Sequence, residues 1–132
     1  MAKPIVQEMP FDGPGKLVTW LLTSTDDVAE PYLCMARPQK TVQMYGDFSG
    51  AEIAVRGSND PAGDVGTNYG ALTSEDGAFP TEISFIAAGA LITGLVKVRE
   101  HPIWIKPVKL SGTPSVAGIT VALSLSSARS RA

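Results

Sequence analysis

Residues 41–58 read TVQMYGDFSGAEIAVRGS. Val42, Met44 and Phe48 alternate with Gln43, Tyr45 and Asp47, and Gly46 occupies an apolar place in the series. After Ser49-Gly50 the alternation resumes, with Ala51, Ile53 and Val55 against Glu52, Ala54 and Arg56. A period of two sends successive side chains to opposite faces of an extended strand, and a Ser-Gly pair between two such runs is a turn signal. The stretch predicts a β-hairpin with one buried face, to which the rest of the chain adds strands. Its second arm runs into Gly57-Ser58-Asn59-Asp60-Pro61, a dense cluster of turn formers.

Working outward, residues 16–23 (KLVTWLLT) place Leu17, Thr19 and Leu21 on one side and Val18, Trp20 and Leu22 on the other. Both sides are apolar, which predicts a strand covered on both faces. Residues 119–125 (ITVALSL) alternate most cleanly, with Ile119, Val121, Leu123 and Leu125 inward and Thr120, Ala122 and Ser124 outward. Residues 103–110 (IWIKPVKL) are rich in β formers, but Pro107 removes a ladder donor and so predicts an edge position or a bulge. Ile83 and Phe85 point inward from residues 82–87, and residues 57–70 form the longest polar loop. Ser24 to Asp27 can cap one helical turn at Val28-Ala29 before Pro31 ends it, and residues 88–95 fit either a strand or a helical turn. About eight strands, with turn signals at roughly 8–12-residue spacing, predict an all-β chain: a jelly-roll-like β-sandwich.

The organisation expected is an extended N-terminal arm over residues 1–15, a single β-sandwich domain over 16–127 and a flexible basic tail over 128–132. The arm holds Pro4, Pro10 and Pro14, which forbid helix, yet Ile5, Val6, Met9 and Phe11 make it too apolar to float free. It is expected to pack on a neighbour or on its own body. Trp104 and Ile105 sit in the expected edge strand, Trp104 reading as core or interface, and edge strands readily accept a partner's strand. The protein-contact candidates are therefore Ile5, Val6, Met9, Phe11, Trp104 and Ile105.

Composition narrows the classes. Hydrophobic residues make up 44% of 132, enough for a core. A net charge of −2 argues against binding nucleic acid by phosphate neutralisation. The signs are uneven, acidic over 47–82 and basic from Lys97 onward, which reads first as solvated strand faces and, as the alternative, as complementary poles that help subunits dock. One cysteine, Cys34, permits no internal disulfide. Residues 1–10 lack a signal peptide's apolar run, and residues 85–98 are too short and broken to span a bilayer, so the expectation is a soluble chain made inside a cell.

A search for chemistry is empty. His101 is the only histidine, and a Cys-His or Ser-His system needs Cys34 or a serine brought to it by folding. Oxygen donors cluster at Ser58, Asn59, Asp60, Asp64 and Asn68, but without the spacing of a calcium loop. Gly63, Gly66 and Gly70 open no helix and precede no Gly-Lys-Ser/Thr, so they read as turn glycines rather than a phosphate cradle. The adjacent carboxylates Asp26-Asp27 and Glu75-Asp76 lie in expected turns. No enzyme activity, catalytic residue, metal or cofactor is expected, and the chain is expected to work by binding.

Three pieces in order carry a resemblance: VQMYGDFSGAEIAVRGSND (42–60), YGALTSEDGA (69–78) followed by ISF (83–85), and REHPIWIKPVKLSGT (99–113) with ITVALSLSS (119–127). Together they resemble the capsid cement (decoration) proteins of tailed bacteriophages over about residues 41–127. The resemblance implies a jelly-roll-like homodimer without catalytic residues. It would sit on the outer surface of the virion head and clamp neighbouring subunits of the major capsid protein, with no nucleic acid or membrane as partner. A strand followed by Gly-Ser-Asn-Asp also resembles discoidin-type sandwiches, which implies as the alternative a carbohydrate-binding module on the virion surface. That family carries a tryptophan after the turn, where this chain has Asn68-Tyr69.

Overall fold

The computed structural model describes residues 1–8, 15–34, 39–63, 68–86 and 95–126. The segment with the cleanest alternation becomes the middle of a sheet. β10 (Ile119–Ser126) lies antiparallel between β2 (Gly15–Leu22) and β4 (Gln39–Gly46), pairing along its whole length with both. β1 (Ile5–Glu8) extends this sheet beyond β2, and β8 (Val96–Lys97) closes it beyond β4. The inward set of β10 is as expected: Ile119, Val121, Leu123 and Leu125 are all buried. They meet Val18, Trp20 and Leu22 from β2 and Val42 and Met44 from β4 in one core. Burying side chains of this size contributes roughly 1.5–3 kcal/mol each.

The second sheet has the order β3 (Tyr32–Leu33), β9 (Trp104–Ser111), β5 (Glu52–Ser58), β6 (Gly70–Ala71), with β7 (Ser84–Ile86) also pairing with β5. It sends Ile53, Val55, Phe85 and Ile105 into the same core. The protein is thus all-β, two antiparallel sheets over one apolar core, and no α-helix occurs among the described residues.

The hairpin expected from residues 41–58 does not form. β4 and β5 belong to different sheets, so the Ser49-Gly50 turn is a corner between layers. The turn itself was read correctly: Ser49 and Gly50 have φ of 50° and 83°, and Ala51 N–H donates to the Phe48 carbonyl at 2.8 Å. Two things make it a corner. Gly46, at φ 123°, turns the chain out of the first sheet, and Phe48, with no exposed surface, anchors the connection in the core. Both strands keep their apolar faces buried, but each finds its partners elsewhere.

No helical turn forms at Val28-Ala29. Thr23 and Asp26 exchange backbone hydrogen bonds in a tight turn, and the chain then stays extended because its polar groups are claimed from outside. Ala2 N–H donates to the Val28 carbonyl, Glu30 N–H donates to the Ala2 carbonyl, and the Trp20 indole N–H donates to the Glu30 carbonyl at 2.8 Å. The segment read as an arm lies on the chain's own body: Ala2 is buried, and residues 5–8 form β1 against β2. Met9, Phe11 and the tail over 128–132 lie outside the described residues.

β9 has a free margin, as Pro107 implied. β3 covers only Trp104 and Ile105, and beyond them no described strand pairs with the outer side of β9. Val55 N–H points away from β9, to the Ile83 carbonyl, so the Pro107–Val55 pair exchanges no hydrogen bond and Pro107 sets its missing donor on the open side. The register shift between β5 and β9 falls at Glu52/Ile53 instead.

Candidate interaction surface

The contact candidates read from the sequence separate on folding. Ile5 and Val6 are 64% and 42% exposed on β1, an edge strand. Ile105 has no exposed surface and belongs to the core, so it is corrected as a contact residue: its pairing with Tyr32 and Gly57 turns its side chain inward. Trp104 is half-buried under its own chain. The loop after β5 lies so close on the indole that a methyl group on Gly63 would collide with the ring. The same loop is tied down by the Tyr69 hydroxyl, which donates to the Gly63 carbonyl at 2.8 Å, and by Lys106, whose Nζ lies 4.6 Å from the Tyr69 ring centre. Burial lowers the Lys106 pKa.

The oxygen-rich loop is occupied with its own construction. Asp60 accepts from Ala62 N–H and from the Asn68 amide, and these two contacts hold its carboxyl below the usual range. Ser58 Oγ accepts from Asp60 N–H, and Asn59 Oδ1 from Ile103 N–H. Asp64 lies outside the described residues. No group of three His, Cys, Asp or Glu able to hold a metal occurs among the described residues.

Folding does bring Cys34, Lys40 and His101 into one neighbourhood. Lys40 is almost wholly buried, and its Nζ lies 3.4 Å from His101 Nδ1. Burial lowers the Lys40 pKa, and the nearby Cys34 opposes that shift. Burial pushes the Cys34 thiol up to about 11, and its S–H donates to the Pro102 carbonyl at 3.4 Å. The thiol is thus protonated at neutral pH and lacks the character of a nucleophile.

Part of the charge asymmetry is consumed inside the chain. Lys97 pairs with Glu75 at 3.3 Å, Arg56 with Glu82 at 2.6 Å, and Lys109 with Asp27 at 2.7 Å. Glu100 is half-buried, and its partial desolvation alone would raise its pKa, but the Thr73 hydroxyl and N–H both donate to it and the net shift is downward. Beside the free margin of β9, Asp27, Val28, Ala29 and residues 106–109 line a groove of about 240 Å³, spanned by the Lys109–Asp27 pair.

What the sequence reading missed is the outer face of the first sheet. Register places three rows of side chains there: Ile5, Thr19, Ala122 and Gln43; Gln7, Leu17, Ser124 and Thr41; Leu21, Thr120 and Tyr45. None carries a formal charge. Lys97, on β8, continues the second row beyond Thr41 and brings a charge to that margin of the sheet. Ile5, Leu21 and Tyr45 are 64%, 50% and 40% exposed. β2 was expected to be covered on both sides, and one copy of the chain covers only one. The signal was present in the sequence, since the outward residues of residues 16–23, 41–46 and 119–125 are all uncharged, but it needs the strand order to become a surface.

Comparison with family models, with curated proteins and with solved structures finds no match to this chain.

Proposed function

We propose that this chain is a capsid cement (decoration) protein of the jelly-roll type. It is a homodimer without catalytic activity that binds the outside of a tailed-phage head and clamps neighbouring major capsid subunits. The observation that carries this reading is the strand order. Leaving out β1 and counting β6 and β7 as one strand, eight remain. The first sheet then reads 1-8-3-6 and the second 2-7-4-5. The pairs 1–8, 2–7, 3–6 and 4–5 are those of one long hairpin, and rolling it brings 8 beside 3 and 7 beside 4. That order matches the one expected of a double-sheet jelly roll, a design that recurs in viral shells, and so supports the reading. The uncharged sheet face, and chemistry-bearing side chains engaged in holding loops together, also fit a protein that works by contact.

The carbohydrate-binding alternative gains less support. Its site would rest on Tyr69, whose hydroxyl is bonded to Gly63 and whose ring is covered by Lys106, so neither is presented to a sugar. The test is direct. Heads stripped of this protein should lose resistance to heat, and the purified chain should rebind and restore it. Stripped heads that are equally robust, or a chain that does not rebind, would refute the cementing role.

A further inference from the structure

We infer that the uncharged outer face of the sheet formed by β1, β2, β10 and β4 is the surface on which two copies of this chain pair. The inference deepens the homodimer in the reading above and rests on it.

Charge decides between occupants. Acidic and basic residues number 24 in the chain, yet none of the eleven side chains in the three central rows is charged. Such a face offers nothing to nucleic acid or to a charged peptide, and depletion of charge is the mark of the buried centre of an interface. A second copy brings the same neutral rows, so no like charges meet and no ion is stranded.

Area is adequate. β2, β10 and β4, each about 26 Å long, and the four-residue β1, about 13 Å, lie about 4.8 Å apart and present roughly 440 Å² in projection. Two such faces remove about 900 Å² in projection, to which the relief of the side chains adds, close to the roughly 1,000 Å² that a specific interface needs. Geometry is self-complementary as well. Leu21, Thr120 and Tyr45 lie in one row, with Thr120 in the middle. A two-fold axis parallel to β10 lays Leu21 of each copy on Tyr45 of the other, an isologous contact. The outward residues of β10 are small, so the sheets can approach to the usual spacing of about 10 Å. Pairing here also supplies the second cover that the apolar strand β2 lacks in a single copy.

The test uses the isolated full chain at micromolar concentration. Sedimentation should give the mass of a dimer, and Ala122→Glu at the centre of the face should weaken it by about a hundredfold or more, since it forces like charges together in a desolvated contact. Ile86→Glu, on a residue 59% exposed on β7 of the other sheet, should leave the dimer intact. Because Ala122→Glu can also disturb folding, Ala122→Cys provides a second readout. A bismaleimide spanning about 10 Å should join two such chains, and Ile86→Cys chains should not be joined. The native Cys34 is buried and does not compete. A wild-type monomer overturns the inference, as does a dimer that ignores Ala122→Glu and gives no cross-link through Ala122→Cys. The cementing role is scored separately. A monomer that still rebinds stripped heads would refute this face and leave the role standing, and a dimer on this face that fails to rebind would do the reverse.

Discussion

Replacing Gly46 by alanine tests the corner where the chain leaves one sheet for the other. Two costs add there. The backbone sits at φ 123°, where an L-residue is strained by roughly 1–3 kcal/mol. A Cβ would also stand about 2.5 Å from the Gly118 carbonyl oxygen and 3.1 Å from Ile119 Cα, both backbone atoms that cannot rotate aside. Overpacking of this kind costs about 1–3 kcal/mol. Against these, alanine narrows the unfolded ensemble and returns about 0.4–1 kcal/mol. The net expectation for Gly46→Ala is a loss of about 3 kcal/mol. Gly50 is the internal control, because it too has positive φ, 83°, but nothing lies within 4 Å of its would-be Cβ. Gly50→Ala should therefore lose only about 1 kcal/mol, the strain without the collision. Urea unfolding followed by fluorescence, at one fixed protein concentration so that self-association cancels, gives both values by linear extrapolation. Equal losses at the two sites would refute the argument, because they would mean that β4 and residues 118–119 are not held rigidly against each other.

Three further perturbations follow from side chains described above. Glu100 and Asp27 have folded pKa values below their ordinary ones, so the stability they contribute is present above about pH 4 and is lost as pH falls through the folded values. Glu100→Gln, which keeps the shape and removes the charge, should flatten the acid limb of a plot of stability against pH, and an unchanged limb would count against the Thr73 contacts. The Cys34 thiol, pushed up to about 11 from 9.0, should react at pH 8 on the order of a hundredfold more slowly than in urea, as timed with a chromogenic disulfide. Replacing both Pro107 and Lys109 by valine restores a donor to the free margin of β9 and removes its charge, so the variant should aggregate faster on warming, as measured by light scattering.

Much of the strand content was legible in the sequence because one-sided burial leaves a period of two. The inward residues of β10, and Ile83 and Phe85, were placed correctly on that ground alone. Partnership was less legible. A Ser-Gly turn between alternating runs has the same local chemistry in a hairpin as in a corner, and only the distant partners β10 and β9 decide which it becomes. Trp104 was ambiguous for a related reason: its cover, Gly63, reaches it only after a polar loop folds back. Residues 24–30 carried a capping signal that lost to hydrogen bonds from Ala2 and Trp20. The neutral sheet face was hidden because it combines residues from four strands, and no single stretch reveals that charge is missing.

The place of β10 between β2 and β4 has a consequence for synthesis. β2 emerges from the ribosome early, but its neighbour in the sheet on the β4 side is β10, whose residues are translated about a hundred positions later. Until then β2 and β4 exist with an empty lane between them, and their greasy sides have nothing to close on. Folding is thus deferred until the tenth strand arrives, and long-range pairings of this sort form slowly. A nascent chain halted before residue 119 should be held by chaperones or digested, because the strand between β2 and β4 is missing.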